Sequence, residues 1–402
     1  MVSKTQKRIF NGGKEKYCPH CWPTKRKNHA LLHLEHYLNK LVKPFTILFF
    51  RQENLWKHIL VFLNFLKIVN FEKNPDETQI YNRSLIFFKE AKNRGIDISI
   101  AKVLGNYSND FKFIYKGKEY HYEGIPINIK QPNSKIDDKH YIKRILSAHK
   151  MPVPRGQLFT NVRKALRFAR ALGFPLVVKP NSGSLSHHIT CNIGSEEELI
   201  LAMNLAKKYS PTFILEEFIF GDMYRATVVG QEHVFVCRKD RANIVGDGQL
   251  TIEELIKIKN SDDQRGSLHQ KDTTLHEIQI DQILENNLDS QGLSLDSILP
   301  VKQKVYLQDK YVLSHGCDII SHNDDVHSDN KKLFIQIAKL LKTDLVGIDF
   351  ISPNIRQSYK NQQTGVLEAN TLPYIDMHAF PSHGRPEPVA ELVWDFVLEK
   401  LK

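Results

Sequence analysis

The spacing of apolar and polar positions changes period along this chain, and the most telling pattern lies near its end. V-G-I-D-F at 346–350 and T-G-V-L-E-A-N-T-L-P at 364–373 each crowd β-branched and aromatic residues around one carboxylate, the signature of short buried strands. If the two pair through the polar loop holding Pro353 and Asn354, Asp349, Glu368 and Asn370 converge on one face, with Glu368 and Asn370 aligned by the two-residue strand period. Two carboxylates and a neutral amide suit magnesium, a hard cation that keeps several waters and bridges phosphate oxygens. A buried Asp and Glu satisfied by Arg or backbone groups is the alternative.

Upstream, the pattern predicts a helix near 79–94 ending at Gly95, a strand at 97–103 and a hairpin turning at Lys116-Gly117-Lys118. These elements read as a small α/β domain over 76–136. Next come a helix at 138–149, a strand near 157–160, a helix to Gly173 and the strand F-P-L-V-V-K-P at 174–180. Ser195 and Glu198 form a capping box for an amphipathic helix over 195–208, and T-F-I-L-E-E-F-I-F-G-D at 212–222 reads as an apolar strand. A hairpin turning at Gly230-Gln231, a helix capped by Thr251 and Glu254, a polar surface excursion over 260–300, a strand near 303–308 and a helix at 330–341 complete a body spanning 137–402.

Residues 1–75 form a basic extension of unclear structure. The net charge is +11, and residues 1–57 alone hold 12 Lys/Arg against 3 Asp/Glu. That arm is either solvated or in contact with an anionic partner such as nucleic acid, phosphate or a membrane surface. The apolar run at 59–69 is interrupted by Asn64 and Lys67 and is shorter than the roughly 20 residues of a membrane span, so it is expected to be a core helix. Five cysteines without a disulfide pattern and no secretory signal point to a reducing, cytoplasmic setting.

Candidate chemistry gathers in four places. Cys18-Pro19-His20-Cys21, with His29, His33 and His36 beyond it, offers a structural zinc site, a thiol redox pair, or neither. Lys179 ends an apolar strand beside N-S-G-S-L-S-H-H, where small and hydroxyl residues around Gly183 and Ser184 leave backbone donors able to wrap phosphates. The run Glu216, Glu217, Phe218, Ile219 is either a hinge that covers a purine or a plain strand end. Lys239 and Arg241, in R-K-D-R-A-N-I-V-G-D-G, suit phosphate or carboxylate recognition or a solvated loop.

Taken together, the segment from about Asp137 to Val397 resembles the ATP-grasp superfamily, in particular the ATP-grasp domain of cyanophycin synthetases and of bifunctional bacterial glutathione synthetases. The motifs that carry this are Asp138-Lys139, M-P-V-P, Lys179-Pro180, L-E-E-F-I-F-G-D-M-Y-R, V-G-D-G, N-S-D-D-Q-R-G, V-G-I-D, L-E-A-N and M-H-A-F-P-S-H-G. The resemblance implies an α+β fold in which two α/β lobes grip ATP. It further implies Lys139 and Lys179 on the phosphates, Glu216 to Ile219 on adenine, and Asp349, Glu368 and Asn370 on magnesium, with manganese able to substitute. The implied activity is an ADP-forming carboxylate-amine ligase that works through an acyl phosphate on an amino acid or peptide. An ATP-binding protein without turnover, using its basic N-terminus, with or without zinc, on nucleic acid or a protein partner, is the alternative.

Departures from the family pattern are visible. Ser186 and His188 stand where glycines are common, and Met223 replaces a ribose-binding acid that Asp222 would have to supply. Lys239-Asp240-Arg241-Ala242 replaces Arg-x-Pro-Ala and leaves open which cation supports the acyl phosphate. A single ATP-grasp unit without a second ligase module makes cyanophycin an unexpected product.

Overall fold

The structure is a computed structural model that describes residues 21, 29–30, 32–34, 69–129, 136–181 and 187–402. The expected core helix at 59–69 falls almost wholly outside these residues.

The first sheet is an antiparallel meander, β1 (Val69–Glu72), β2 (Asp97–Val103), β3 (Asn106–Tyr115) and β4 (Lys118–Glu123), backed by α1 (Asn82–Asn93). Its hairpin turns at Lys116 and Gly117, both at positive φ (49° and 74°), which suits the right-handed twist of the flanking strands. The core of this sheet is closed by the other end of the chain. Trp394, fully buried on the C-terminal helix Val389–Lys400, packs edge-on to Phe113 and donates its indole N–H to the Phe87 carbonyl at 2.9 Å.

The first lobe follows. Helix α2 (Lys139–Ala148) leads to β5 (Gly156–Phe159), α3 (Val162–Leu172), β6 (Leu176–Pro180), β7 (Thr190–Ile193), α4 (Glu196–Tyr209) and β8 (Phe213–Glu217). The four strands form one antiparallel sheet in the order β5-β8-β6-β7, with α3 and α4 burying Ala165, Ala169, Leu199 and Met203 against it. Each of these three helices starts at an N-cap chosen by the sequence: Asp138, Asn161 and Ser195 accept from the backbone N–H three residues on.

The second lobe starts with the hairpin β9 (Asp222–Val229) and β10 (His233–Asp240). A packed insertion follows: β11 (Asn243–Val245), α5 (Ile252–Asn260) where the Thr251 cap predicted a helix, β12 (Arg265–Gly266), β13 (Leu275–His276), α6 (Gln282–Ser290) and β14 (Lys304–Tyr306) at the expected strand, so that residues 260–300 are part of a folded unit and not a surface excursion. Ile244, Ile252, Ile256, Leu284, Leu288 and Leu299 give it a core of its own, which the scattered spacing of those residues concealed. The capping box of Thr251 and Glu254 forms in full. Then β15 (Asp318–Ser321), α7 (Ser328–Leu341), β16 (Leu345–Ser352) and β17 (Gly365–Asn370) complete a sheet of order β15-β10-β9-β16-β17, followed by α8 (Asp376–Ala379) and α9 (Val389–Lys400).

The apolar strand expected over 212–222 is in fact two strands of different sheets. β8 stops at Glu217, residues 218–221 cross over, and β9 starts at Asp222 in the second lobe. Gly221 has φ +154°, and a Cβ there would lie 2.5 Å from the Ser352 carbonyl carbon, so the crossover needs a glycine.

Candidate active site

Strand alternation sorts the second lobe's large sheet into two faces. Tyr224, Ala226, Val228, Val346, Ile348 and Phe350 turn to a core shared with α2 and α7. Their alternating neighbours Arg225, Lys239 and Asp349 turn the other way. Asp349 pairs in register with Glu368 and Gly347 with Asn370, so the two carboxylates and the amide share that opposite face, as the sequence predicted. A bulge after Asp349 keeps this arrangement in step with the core positions on the other side.

Asp349 is 7% exposed and carries two cations. Arg225 donates its Nε–H to Oδ1 at 2.6 Å, and Lys239 Nζ lies 3.2 and 3.3 Å from the two oxygens. Burial raises a carboxyl's pKa, but here the Arg225 and Lys239 charges outweigh it and hold Asp349 well below the usual range. Gly347 makes room for this pair, because a Cβ there would stand 2.8 Å from an Arg225 Nη1. Glu368 is met by Lys139 Nζ at 3.3 Å. Among the described residues, the buried Nδ2 of Asn370 has no hydrogen-bond partner. Turning that amide would present its oxygen to the same place, beside two carboxylates, so the three residues fit a hard divalent cation.

Helix α2 links this face to the first lobe. Asp137 accepts from the Thr371 N–H at 3.0 Å and from its hydroxyl at 2.8 Å, fixing the helix start beside the end of β17. Lys139 then reaches Glu368, while Lys143, one turn on, pairs with Glu216 of β8. Glu216 is 2% exposed and also holds Lys179 Nζ at 2.6 Å. Burial alone would raise its pKa; Lys179 and Lys143 reverse that and lower it. Five cations thus surround three carboxylates across the two lobes, leaving an excess of positive charge at their junction. A polyphosphate with a divalent cation is the kind of ligand that such an excess suits.

No family model matches the chain. Over 265 residues it is 37% identical to the cyanophycin synthetase of Crocosphaera subtropica, a match covering 65% of this chain and 30% of that protein. It is 32% identical to the glutathione biosynthesis bifunctional protein of Clostridium perfringens over 265 residues, covering 65% of this chain and 34% of that protein. The chain therefore spans about a third of the length of these relatives. The bifunctional glutathione synthetase from Pasteurella multocida superposes with a TM-score of 0.62 at 26% identity, over 80% of this chain and 45% of that one. The chain carries the ATP-grasp fold.

Within the ATP-grasp fold the structure brings together Lys139, Lys179, Glu216, Lys239, Asp349, Glu368 and Asn370. Gly183 and Ser184 lie outside the described residues. Glu217 and Phe218 begin the crossover: Glu217 accepts from Arg155 through backbone and side chain, and the Phe218 N–H donates to the Pro175 carbonyl at 3.0 Å. Ile219 is buried, and Asp222 pairs with Arg238 at 2.9 Å. Arg241 stands apart from Lys239, its guanidinium 4.1 Å from the Tyr306 ring centre and 3.6 Å from Asp309.

Several partners were missed from sequence. Lys143 was legible in principle, four residues after Lys139 on one helix. Arg225 ends the L-E-E-F-I-F-G-D-M-Y-R run, and its partnership with Asp349 spans 124 positions that no local pattern joins. The same holds for Asp318, a buried carboxylate gripped by Lys259 at 2.6 Å, Asn243 at 2.9 Å and Arg265 of the N-S-D-D-Q-R-G run. Of the histidines set beside the C-x-x-C, His29 approaches Cys21, whereas His33 Nε2 lies 3.2 Å from the Lys208 carbonyl oxygen. Cys18 and His36 lie outside the described residues. Among the described residues no helix is long and apolar enough to cross a membrane.

Proposed function

We propose that the chain is an ADP-forming carboxylate-amine ligase, with ATP, an acid and an amine as substrates, the last two drawn from amino acids or small peptides. The observation that carries this is the junction itself: a metal-fitting Asp349, Glu368 and Asn370 set on one lobe, joined through α2 to the Lys143, Glu216 and Lys179 cluster of the other. ATP lies between the lobes, with adenine along Glu216 to Ile219, ribose near Asp222, and phosphates toward Lys139, Lys179 and the 181–188 run. Magnesium held by Asp349, Glu368 and Asn370, or manganese in its place, supplies charge neutralisation on the transferring phosphoryl oxygens.

The chain's own groups do the rest. A substrate carboxylate oxygen attacks the γ-phosphorus, the bond to the β-phosphate oxygen breaks, and ADP leaves. Lys179 and Lys239 offset the charge that builds on the phosphoryl group. Arg241, stacked on Tyr306 beside the end of β10, holds the acid substrate. The amine then attacks the acyl carbon, phosphate departs, and the amine's surplus proton passes to solvent. The sheltered junction keeps water from the acyl phosphate meanwhile. A cytoplasmic, reducing setting agrees with Cys191, Cys237 and Cys317, which are free thiols.

A phosphate-release screen of the full chain with ATP, magnesium and pairs of amino acids and dipeptides tests this. Phosphate release that requires both an acid and an amine supports the reading. ATP binding with no release across the whole matrix overturns it.

A further inference from the structure

One cluster has no part in the carboxylates and lysines of the junction. Cys21, fully buried, sits against two histidines that come from distant parts of the chain. His29 Nε2 and His188 Nε2 each lie 3.3 Å from its Sγ, and the three atoms all fall within 4.8 Å of one another. The two rings meet edge to face with centroids 4.9 Å apart. His188 is also fully buried, and its Nδ1 lies 2.8 Å from the Leu205 carbonyl oxygen on α4.

That last contact sets the chemistry. A carbonyl oxygen only accepts, so Nδ1 carries the hydrogen and the neutral ring presents the lone pair of Nε2 to the sulfur. This is the outer hydrogen bond that metal-binding histidines characteristically make, which fixes both tautomer and ring orientation. A metal ion bound to the sulfur can take the Nε2 lone pairs of both rings. In a tetrahedral zinc site, metal-sulfur and metal-nitrogen lengths of about 2.3 and 2.0–2.1 Å put sulfur and nitrogen about 3.5 Å apart, close to the 3.3 Å seen for both pairs. A thiolate with two imidazoles also selects zinc over the magnesium that suits Asp349 and Glu368.

We infer that Cys21, His29 and His188 bind a structural zinc ion that ties the N-terminal segment to the first lobe beside α4. These three are the donors that the described residues supply. The inferred ligand set departs from the local one drawn from sequence, because His188 lies 167 positions from Cys21 and no spacing rule reaches it. It gives a purpose to the position where the family's glycine-rich loop carries a histidine. It is also independent of whether the chain is a ligase.

The test is metal content of the full chain, purified without chelators or a polyhistidine tag and dialysed against metal-free buffer. About one zinc per chain is expected, falling below about a tenth in Cys21→Ser and His188→Asn, while His33→Ala keeps its zinc. His29→Asn alters a half-buried residue of the N-terminal segment, so it guards against loss of metal through misfolding of the body. X-ray absorption at the zinc edge should show one sulfur and two imidazole nitrogens. Added zinc should raise the melting temperature of metal-stripped wild type and leave Cys21→Ser unmoved. Wild-type chain that neither retains zinc nor is stabilised by it overturns the assignment, as does full zinc content in the Cys21 and His188 variants.

Discussion

Replacing Asp349 by asparagine removes one charge from a carboxylate that is 7% exposed and holds Arg225 at 2.6 Å and Lys239 at 3.2 Å. Taking one partner from a buried ion pair costs about 3–5 kcal/mol, because the remaining charge stays desolvated. Asparagine keeps an acceptor for the Arg225 Nε–H, which places the expected loss near the lower end, about 3 kcal/mol. Glu368→Gln removes the same charge directly across the strand pair, but its side chain is 28% exposed and, among the described residues, forms an ion pair with Lys139 only, at 3.3 Å. An ion pair in that setting contributes about 1 kcal/mol or less. Both changes remove one element of preorganised charge from the proposed reacting centre, so each should lower turnover roughly a hundredfold or more.

The signature is therefore equal kinetic damage with unequal loss of stability. Urea unfolding gives the second quantity, and phosphate release with saturating substrates gives the first. Adding Lys239→Met to Asp349→Asn should recover part of the lost stability, with a coupling energy of about 1–3 kcal/mol, while leaving turnover low. An Asp349→Asn chain with wild-type urea midpoint would refute the buried triad. A Glu368→Gln chain with wild-type turnover would refute the metal role of this strand pair.

Other outcomes follow from the same geometry. Lys179→Met should weaken ATP binding, and Lys179→Arg should restore it only in part, since a planar fork does not replace a point charge beside Glu216; calorimetric titration with ATP reads both. Hydrogen exchange at 181–188 should slow when ATP and magnesium are added, and unchanged exchange alongside intact ATP binding would remove that run from the phosphate site. His378 is buried against Thr227, and burial pulls its pKa down to about 3 from an ordinary 6.5. The unfolded chain therefore takes up the proton first as pH falls below 6.5, so stability should drop between about pH 6.5 and 3, by at most about 4–5 kcal/mol from this group. His378→Gln should flatten that slope, whereas Asp349 and Glu216, whose pKa values are lowered from the ordinary 3.8 and 4.5, begin to add their losses only as pH falls below those values. Trp394→Ala should cost about 3–5 kcal/mol and loosen exchange in the first sheet, because the indole fills that sheet's core from the other end of the chain.

What the sequence revealed and what it hid follow one physical rule. Elements whose signals are local came through: the strand at 97–103, the turn at Lys116 and Gly117, the caps at Asp138, Ser195 and Thr251, and the alternation that puts Glu368 and Asn370 on one face. The crossover at 218–221 was hidden because its apolar residues continue the pattern of β8, and only the identity of the neighbouring strand shows that the chain has changed sheets. The partners of Asp349, Glu216 and Asp318 were hidden because a buried carboxylate needs cations in space, and those cations sit on other strands and helices. Local spacing could suggest that a carboxylate matters; it could not say what neutralises it.

That neutralisation bears on how the site would work. Glu216 holds both Lys143 and Lys179, and Asp349 holds both Arg225 and Lys239, so these cations are already partnered before any nucleotide arrives. A polyphosphate cannot simply collect idle lysines; it must share them with carboxylates that are themselves too buried to give up their charge cheaply. The exchange is feasible because positive charge is in excess and because α2 ties the two clusters together, so a ligand that engages Lys139 draws on a helix whose next turn contacts Glu216. A single anion would gain little from such an exchange. A chain of phosphates with a divalent cation returns a positive charge to Asp349 and Glu368 as it takes their lysines, which is a physical reason for nucleotide and metal to bind this junction together. Titration of ATP with and without magnesium should accordingly show strong positive coupling, and equal ATP affinity in the two cases would contradict this account.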